Sequence, residues 1–220
     1  MQINRYIDHT VLKPTTTLDD IRKLCMEAVE YDFAAVCVPP PFVQITSTFV
    51  GNTNTKVCTV VGFPFGYSAI EAKVAETVMA ILEGAEEIDV VANLIAIKAG
   101  DWAFIEKEIT SILPIVHSKG KVLKVIIESG ILLDEEIIKC CEIYGRLGVD
   151  FVKTSTGYAE KGATVEAVAL MRKHLPANIQ IKASGGIRTF AFAKELIAAG
   201  ATRVGCSGSV QIVKESQALN

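Results

Sequence analysis

Short aliphatic runs alternate with longer amphipathic stretches along this chain, and that rhythm restricts its fold more than any other feature. Residues 33–38, 56–61, 87–91, 122–127, 151–154, 179–182 and 202–205 are short β-branched or aliphatic runs, and residues 6–10 make an eighth short candidate. Near-continuous apolar runs of this length suit strands covered on both faces, as in a parallel sheet. Helical patterns at 17–30, 68–82, 102–117, 134–147, 164–174 and 189–199 separate them, with Thr17 placed to cap the first and Asp20 three residues on. Gly84, Gly148 and Gly200 follow three of these stretches, where a helix end wants a positive φ. Eight βα units of roughly 25 to 30 residues predict an α/β fold, a (β/α)8 barrel. A doubly wound open sheet has the same texture, but its Gly-x-Gly-x-x-Gly turn after the first strand is missing here. No linker or composition break divides the chain, so residues 1–220 read as a single domain.

Composition removes several classes of function. Half of the 220 residues are hydrophobic and 21% are charged, enough for one sizeable core and unlike a disordered chain. The net charge of −3 is spread along the sequence, so neither nucleic acid nor an anionic membrane is an expected partner. No apolar run reaches the length of a membrane span, and the first residues do not read as a signal peptide, so a cytoplasmic location is expected. Six cysteines (Cys25, Cys37, Cys58, Cys140, Cys141 and Cys206) form no Cys-x-x-Cys pair and read as reduced, buried thiols. His9, His117 and His174 lie far apart, so no metal site is expected.

Chemistry in such a barrel sits at the C-terminal ends of the strands. Four ionisable residues interrupt the apolar runs: Asp89, Lys124, Lys153 and Lys182. A buried ion must be paired, neutralised or turned outward at a strand end. Lys153 leads into Thr154-Ser155-Thr156-Gly157, and Lys182 into Ala183-Ser184-Gly185-Gly186 on the next strand. Strands about 4.8 Å apart make two inward lysines close neighbours, and each cation then disfavours charge on its partner. A desolvated lysine beside a second cation is one route to a Schiff-base nucleophile. Asp89 would hold a lysine or water and move protons, whereas Lys124 reads as a strand-end lysine reaching water or an ion-pair member.

The loops 184–188 and 205–209 follow the seventh and eighth strands, where barrels often bind phosphate with backbone N–H groups. Gly185, Gly186, Gly205 and Ser207 are therefore candidate phosphate-binding residues, with Arg188 able to add charge, and Thr156 and Gly157, in the polar exit loop after Lys153, join them as candidate substrate- and phosphate-binding residues.

These residues carry a resemblance. Residues 7–10 (Ile-Asp-His-Thr), 62–64 (Gly-Phe-Pro), 87–91, 124–128, 151–157 and 182–188 resemble, in order and spacing, the deoxyribose-phosphate aldolase family over nearly the whole chain. The resemblance implies a TIM barrel and a metal-free, cofactor-free class I aldolase. Such an enzyme joins acetaldehyde to glyceraldehyde 3-phosphate, reversibly, as 2-deoxyribose 5-phosphate. It implies Lys153 as the Schiff-base residue, Asp89 and Lys182 as the proton relay, and a homo-oligomer, with a dimer expected. Tyr158 stands where some members carry a phosphate-contacting lysine, with Lys161 three residues on. Two other readings stay open: a Schiff-base aldolase with a ketone donor, and a catalytically silent sugar-phosphate binder. Whether Cys37 faces the pocket and reacts with aldehyde is also open.

Overall fold

A parallel sheet whose strands are apolar on both faces must cover both and must also protect its two edges. The computed structural model, which describes residues 2–218, does so by closing the sheet. The strands are β1 (Ile7–Thr10), β2 (Ala35–Val38), β3 (Lys56–Val61), β4 (Glu87–Val91), β5 (Val122–Ile126), β6 (Phe151–Lys153), β7 (Gln180–Ser184) and β8 (Arg203–Cys206). They pair in sequence order, all parallel, and β8 returns to β1 with Asp8 opposite Gly205. The helices are α1 (Leu18–Glu30), α2 (Val43–Val50), α3 (Ile70–Leu82), α4 (Leu94–Lys98), α5 (Trp102–Ser118), α6 (Asp134–Leu147), α7 (Val165–His174), α8 (Phe190–Ala198) and α9 (Ser209–Ala218). The result is the (β/α)8 barrel that the alternation of textures predicts.

Local chemistry fixes the helix starts. Thr17 and Asp20 form a reciprocal capping box on α1. Thr164, Thr189 and Asp101 accept from Ala167, Phe192 and Phe104 N–H groups at the starts of α7, α8 and α5. Gly148 ends α6 in the left-handed region at φ 76°. Three helices lay outside the sequence reading. The β-branched α2 is a poor helix by propensity, α4 has five residues, and α9 follows a glycine-serine loop that masks its start. A 3-10 turn over Ile3–Tyr6 also makes β1 begin at Ile7.

The core divides in two. Outward strand residues such as Ile88, Val90, Leu123 and Val125 pack against helix residues in one large apolar layer. Inside the barrel, Ala35, Cys37, Cys58 and Val60 on β2 and β3 form a small apolar wall with Leu12 and Phe63. The interior facing that wall is ionic.

Candidate active site

The strand register builds this site. Lys153 lies directly opposite Lys182, Asp89 opposite Lys124, and Lys182 opposite Arg203. The two lysines are therefore the close neighbours that their spacing predicts. Both reach one atom: each Nζ is 2.7 Å from Asp89 Oδ2. Asp89 Oδ1 accepts from Lys124 Nζ at 2.8 Å, and the Cys58 thiol lies 3.1 Å from the same oxygen. Beneath them, Lys124 pairs with Glu87 at 2.6 Å, Arg203 with Glu87 at 2.9 Å, and Asp8 with Lys182 and Arg203. Four cations, Lys124, Lys153, Lys182 and Arg203, thus face three carboxylates, Asp8, Glu87 and Asp89.

The electrostatics correct one expectation. Burial alone would lower Lys182, yet the Asp8 and Asp89 carboxylates outweigh it and push the group above the ordinary lysine range. Lys182 is therefore a fixed cation, and its proximity to Lys153 does not neutralise it. Lys124 behaves likewise, because Asp89, Cys58, Glu87 and Asp8 outweigh its burial. Burial would raise the Asp89 carboxyl, but Lys124, Lys153 and Lys182 hold it well below the usual carboxylate range. Of the two readings of Lys124, the structure bears out the ion-pair member: it is fully buried and is not turned to water.

Above this cluster, at the C-terminal ends of the strands, opens a cavity of about 500 Å3. Of the four cations, Lys153 is the one that lines it. Thr156, Gly157, Gly185, Gly186, Gly205 and Ser207 all line it too, as do Tyr158 and Arg188. Two of these have prior commitments. Thr156 spends its backbone N–H, 3.2 Å from Glu128 Oε2, and its hydroxyl on that buried carboxylate. Gly205 is needed for packing, since a Cβ there would lie 3.2 Å from Lys182 Cε and 3.0 Å from Ser184 Cβ. Tyr158 bridges two other loops, donating its hydroxyl to the Leu12 carbonyl at 2.9 Å and packing edge-on against Phe63. Lys161 lines a different groove, between the ends of α6 and α7. Cys37 is buried beneath the cavity, in the apolar wall.

Residues 3–211 match the family model described as DeoC/LacD family aldolase. A deoxyribose-phosphate aldolase of Caldanaerobacter subterraneus subsp. tengcongensis is 51% identical over 216 residues, covering 98% of this chain and 94% of that one. One from Bacillus cereus is 49% identical over 214 residues, 97% and 95% of the two chains. This chain belongs to the deoxyribose-phosphate aldolase family. It is an aldolase, and so a lyase. A solved tetrameric deoxyribose phosphate aldolase from Aeropyrum pernix superposes with a TM-score of 0.91 at 32% identity, over 99% of this chain and 92% of that one.

Sequence reasoning left out several residues that complete the site in this family member. Asp8, Glu87 and Arg203 stand at strand starts, where a charged residue reads as surface. Glu128 has a visible signal in hindsight, an acid directly after an apolar run; it sits at φ 54°, a strained value for a residue other than glycine. Cys58 reads as a small hydrophobe but contacts Asp89 and Lys124, the latter at 3.3 Å. The donor sets Cys37–Cys58–Asp89 and Asp8–Cys58–Glu87 each lie within 4.8 Å, yet their carboxylates are already paired with ammonium or guanidinium groups.

Proposed function

We propose that the chain is a class I aldolase that reversibly cleaves 2-deoxy-D-ribose 5-phosphate to acetaldehyde and D-glyceraldehyde 3-phosphate, with Lys153 as the Schiff-base nucleophile. The observation that carries this reading is the mismatch of four cations to three carboxylates, together with Lys153 being the cation at the cavity. Lys153 has a single carboxylate oxygen, shared with Lys182. Release of its proton leaves three cations against three carboxylates, with no acid orphaned. Lys182 and Arg203 each bind two carboxylates and Lys124 reaches three, so none of them has such freedom.

The free amine attacks C1 of the open-chain sugar and water leaves, giving a protonated imine that draws electrons from the C2–C3 bond. Loss of the C3 hydroxyl proton breaks that bond, releases the phosphorylated aldehyde and leaves a two-carbon enamine. Protonation at C2 and hydrolysis return acetaldehyde and the amine. Proton handling falls to Asp89 and Lys182, joined at Oδ2, through a water at the reacting carbon. The imine is the electron sink, so the chemistry calls for no cofactor and no metal.

Phosphate recognition is assigned to the rim formed by Gly157, Gly185, Gly186, Gly205 and Ser207, with Thr156 shaping it through Glu128. With Tyr158 at the position of the lysine and Lys161 outside the cavity, backbone donors and Arg188 carry the anion. The reading places the enzyme in deoxyribose catabolism in the cytoplasm, a setting that six free thiols fit. It also makes the enzyme a homo-oligomer, with a dimer expected; exposed Met26, Met79, Leu82 and Ile95 offer apolar surface for it.

Borohydride reduction in dilute acetaldehyde, with peptide mass mapping, tests the assignment. A two-carbon adduct concentrated on Lys153, together with cleavage of 2-deoxyribose 5-phosphate, is expected, and Lys153→Ala loses both. Adduct scattered over many lysines with no cleavage would overturn it.

A further inference from the structure

Behind the rim of the cavity, three side chains from three elements form a chain of hydrogen bonds. His9 follows the inward Asp8 on β1, and its ring packs beside Phe33 with ring centres 5.2 Å apart. Its Nε2 lies 2.8 Å from Glu27 Oε2 on α1, and its Nδ1 2.8 Å from Ser209 Oγ at the start of α9. Ser209 Oγ in turn lies 3.0 Å from the Cys206 carbonyl and 3.2 Å from the Cys206 thiol. His9 and Ser209 are both buried.

Donor accounting makes this a directed chain. A carboxylate only accepts, so Glu27 draws the ring proton to Nε2. Burial lowers the His9 imidazole more than Glu27 raises it, which favours the neutral ring and leaves Nδ1 as an acceptor. The one Ser209 hydroxyl proton is then shared between Nδ1 and the Cys206 carbonyl. Together the three residues tie α1 to the turn between β8 and α9. Gly205 and Cys206 at the end of β8 and Ser207 of that turn line the cavity, and the β1 residue following His9, Thr10, lines it as well.

A Ser-His-Glu array invites comparison with a hydrolytic triad, but Ser209 has no exposed surface from which to attack a substrate. We propose instead that Glu27, His9 and Ser209 are positioning residues for phosphate recognition, holding the Cys206–Ser209 turn at the height at which its donors meet the anion. This rests on the reading that the sugar phosphate is bound at that turn. The chain acts on the phosphate and stays apart from the imine chemistry, because none of its members contacts Asp89, Lys153 or Lys182.

The test compares cleavage of 2-deoxyribose 5-phosphate with cleavage of unphosphorylated 2-deoxyribose. Ser209→Ala and His9→Phe, the latter keeping the ring against Phe33, should raise KM for the phosphorylated sugar about five- to ten-fold, the size of one hydrogen bond. Inhibition by inorganic phosphate should weaken in step, with kcat and the rate on 2-deoxyribose unchanged. His9→Gln, which keeps a polar side-chain end, should recover part of the loss. If His9→Phe does not fold, Ser209→Ala decides alone, since it removes one buried oxygen. Equal damage to both substrates, or none to either, would overturn the positioning role. A wild-type enzyme that neither prefers the phosphorylated sugar nor responds to phosphate would instead overturn the phosphate site itself, and the positioning role with it.

Discussion

Buried lysines meet buried carboxylates in two places, and the two behave in opposite ways. Outside the barrel, Lys73 of α3 meets Glu108 of α5 at 2.6 Å, with both side chains fully buried. Lys73 also donates to the Val91 carbonyl at 2.7 Å, and Glu108 accepts from Asn93 N–H at 3.2 Å. There one cation pairs with one anion, Glu76 adds a weaker pull on the lysine, and burial still wins: it lowers Lys73 and raises Glu108, so each drifts toward neutrality. Inside the barrel each acid faces several bases, and attraction wins: Asp89 is driven down while Lys124 and Lys182 are driven up. The isolated pair is a strut between helices and the end of β4. In the crowded network Lys124, Lys182 and Arg203 each meet two or more carboxylates, whereas Lys153, the residue proposed as the nucleophile, meets only Asp89.

The largest expected effects come from deleting one lysine from each place. Lys153→Met should reduce aldol cleavage by about 10^4-fold or more, as removal of a covalent nucleophile does. It should leave the unfolding free energy unchanged or slightly higher, because it removes the unmatched cation. Lys73→Met should do the reverse. It strands a buried carboxylate and should cost about 3–5 kcal/mol in urea unfolding, while the folded fraction keeps Schiff-base adduct formation. If the two variants lose activity and stability in parallel, the distinction between strut and reactive network fails. Asp89→Asn comes next: with one anion gone, three ammonium groups share a neutral amide. A loss of about 10^2-fold or more in kcat, measured with 2-deoxyribose 5-phosphate, is expected.

A smaller effect is expected at the rim. Glu128→Gln keeps an acceptor for Thr156 but removes its charge, so KM for the phosphorylated sugar should rise about three- to ten-fold with little change in kcat. A drop in kcat alone would move Glu128 out of loop positioning and into proton transfer.

What the sequence shows of this molecule follows from how far apart the interacting residues lie. Thr17 and Asp20 are readable as a cap because both partners sit within one turn. The barrel is readable because each strand and helix declares its own period. The neighbouring places of Lys153 and Lys182 are readable because each ends an apolar run and is followed by a stretch of small residues, although β7 itself continues two residues past Lys182 to Ser184. Lys73 and Glu108 are not, since a single lysine or glutamate in a helix has the pattern of a solvated face, and only packing of α3 against α5 buries them. Asp8, Glu87 and Arg203 are hidden in the same way: 195 positions separate Asp8 from Arg203, and ring closure alone brings them together. The commitment of Thr156 to Glu128 likewise depends on a contact between loops 28 positions apart.

The pH dependence of stability separates the two ionic sites with the smallest and most specific effect. Asp8 and Asp89 are depressed in the folded state, so their contribution is complete above about pH 4 and is lost as pH falls through the folded values. Glu108 is raised, so the native state keeps its proton where the unfolded chain has released it, and its contribution declines as pH rises past the ordinary carboxylate range. Urea unfolding across about pH 3 to 8 should therefore show a steep acid limb that flattens in Asp8→Asn. In Lys73→Met a slope of the opposite sign should strengthen, because Glu108 without its lysine is a bare buried acid. Adding Glu108→Gln to Lys73→Met should abolish that slope and recover about 2 kcal/mol or more of the loss, since the amide still accepts from Asn93 N–H. Such recovery would identify the pair as two mutually dependent charges, each buried only because the other is present. A double variant as unstable as the single one would mean that the Val91 carbonyl, left without Lys73, is the true loss, and that the strut acts through the backbone of β4 and not through its charge.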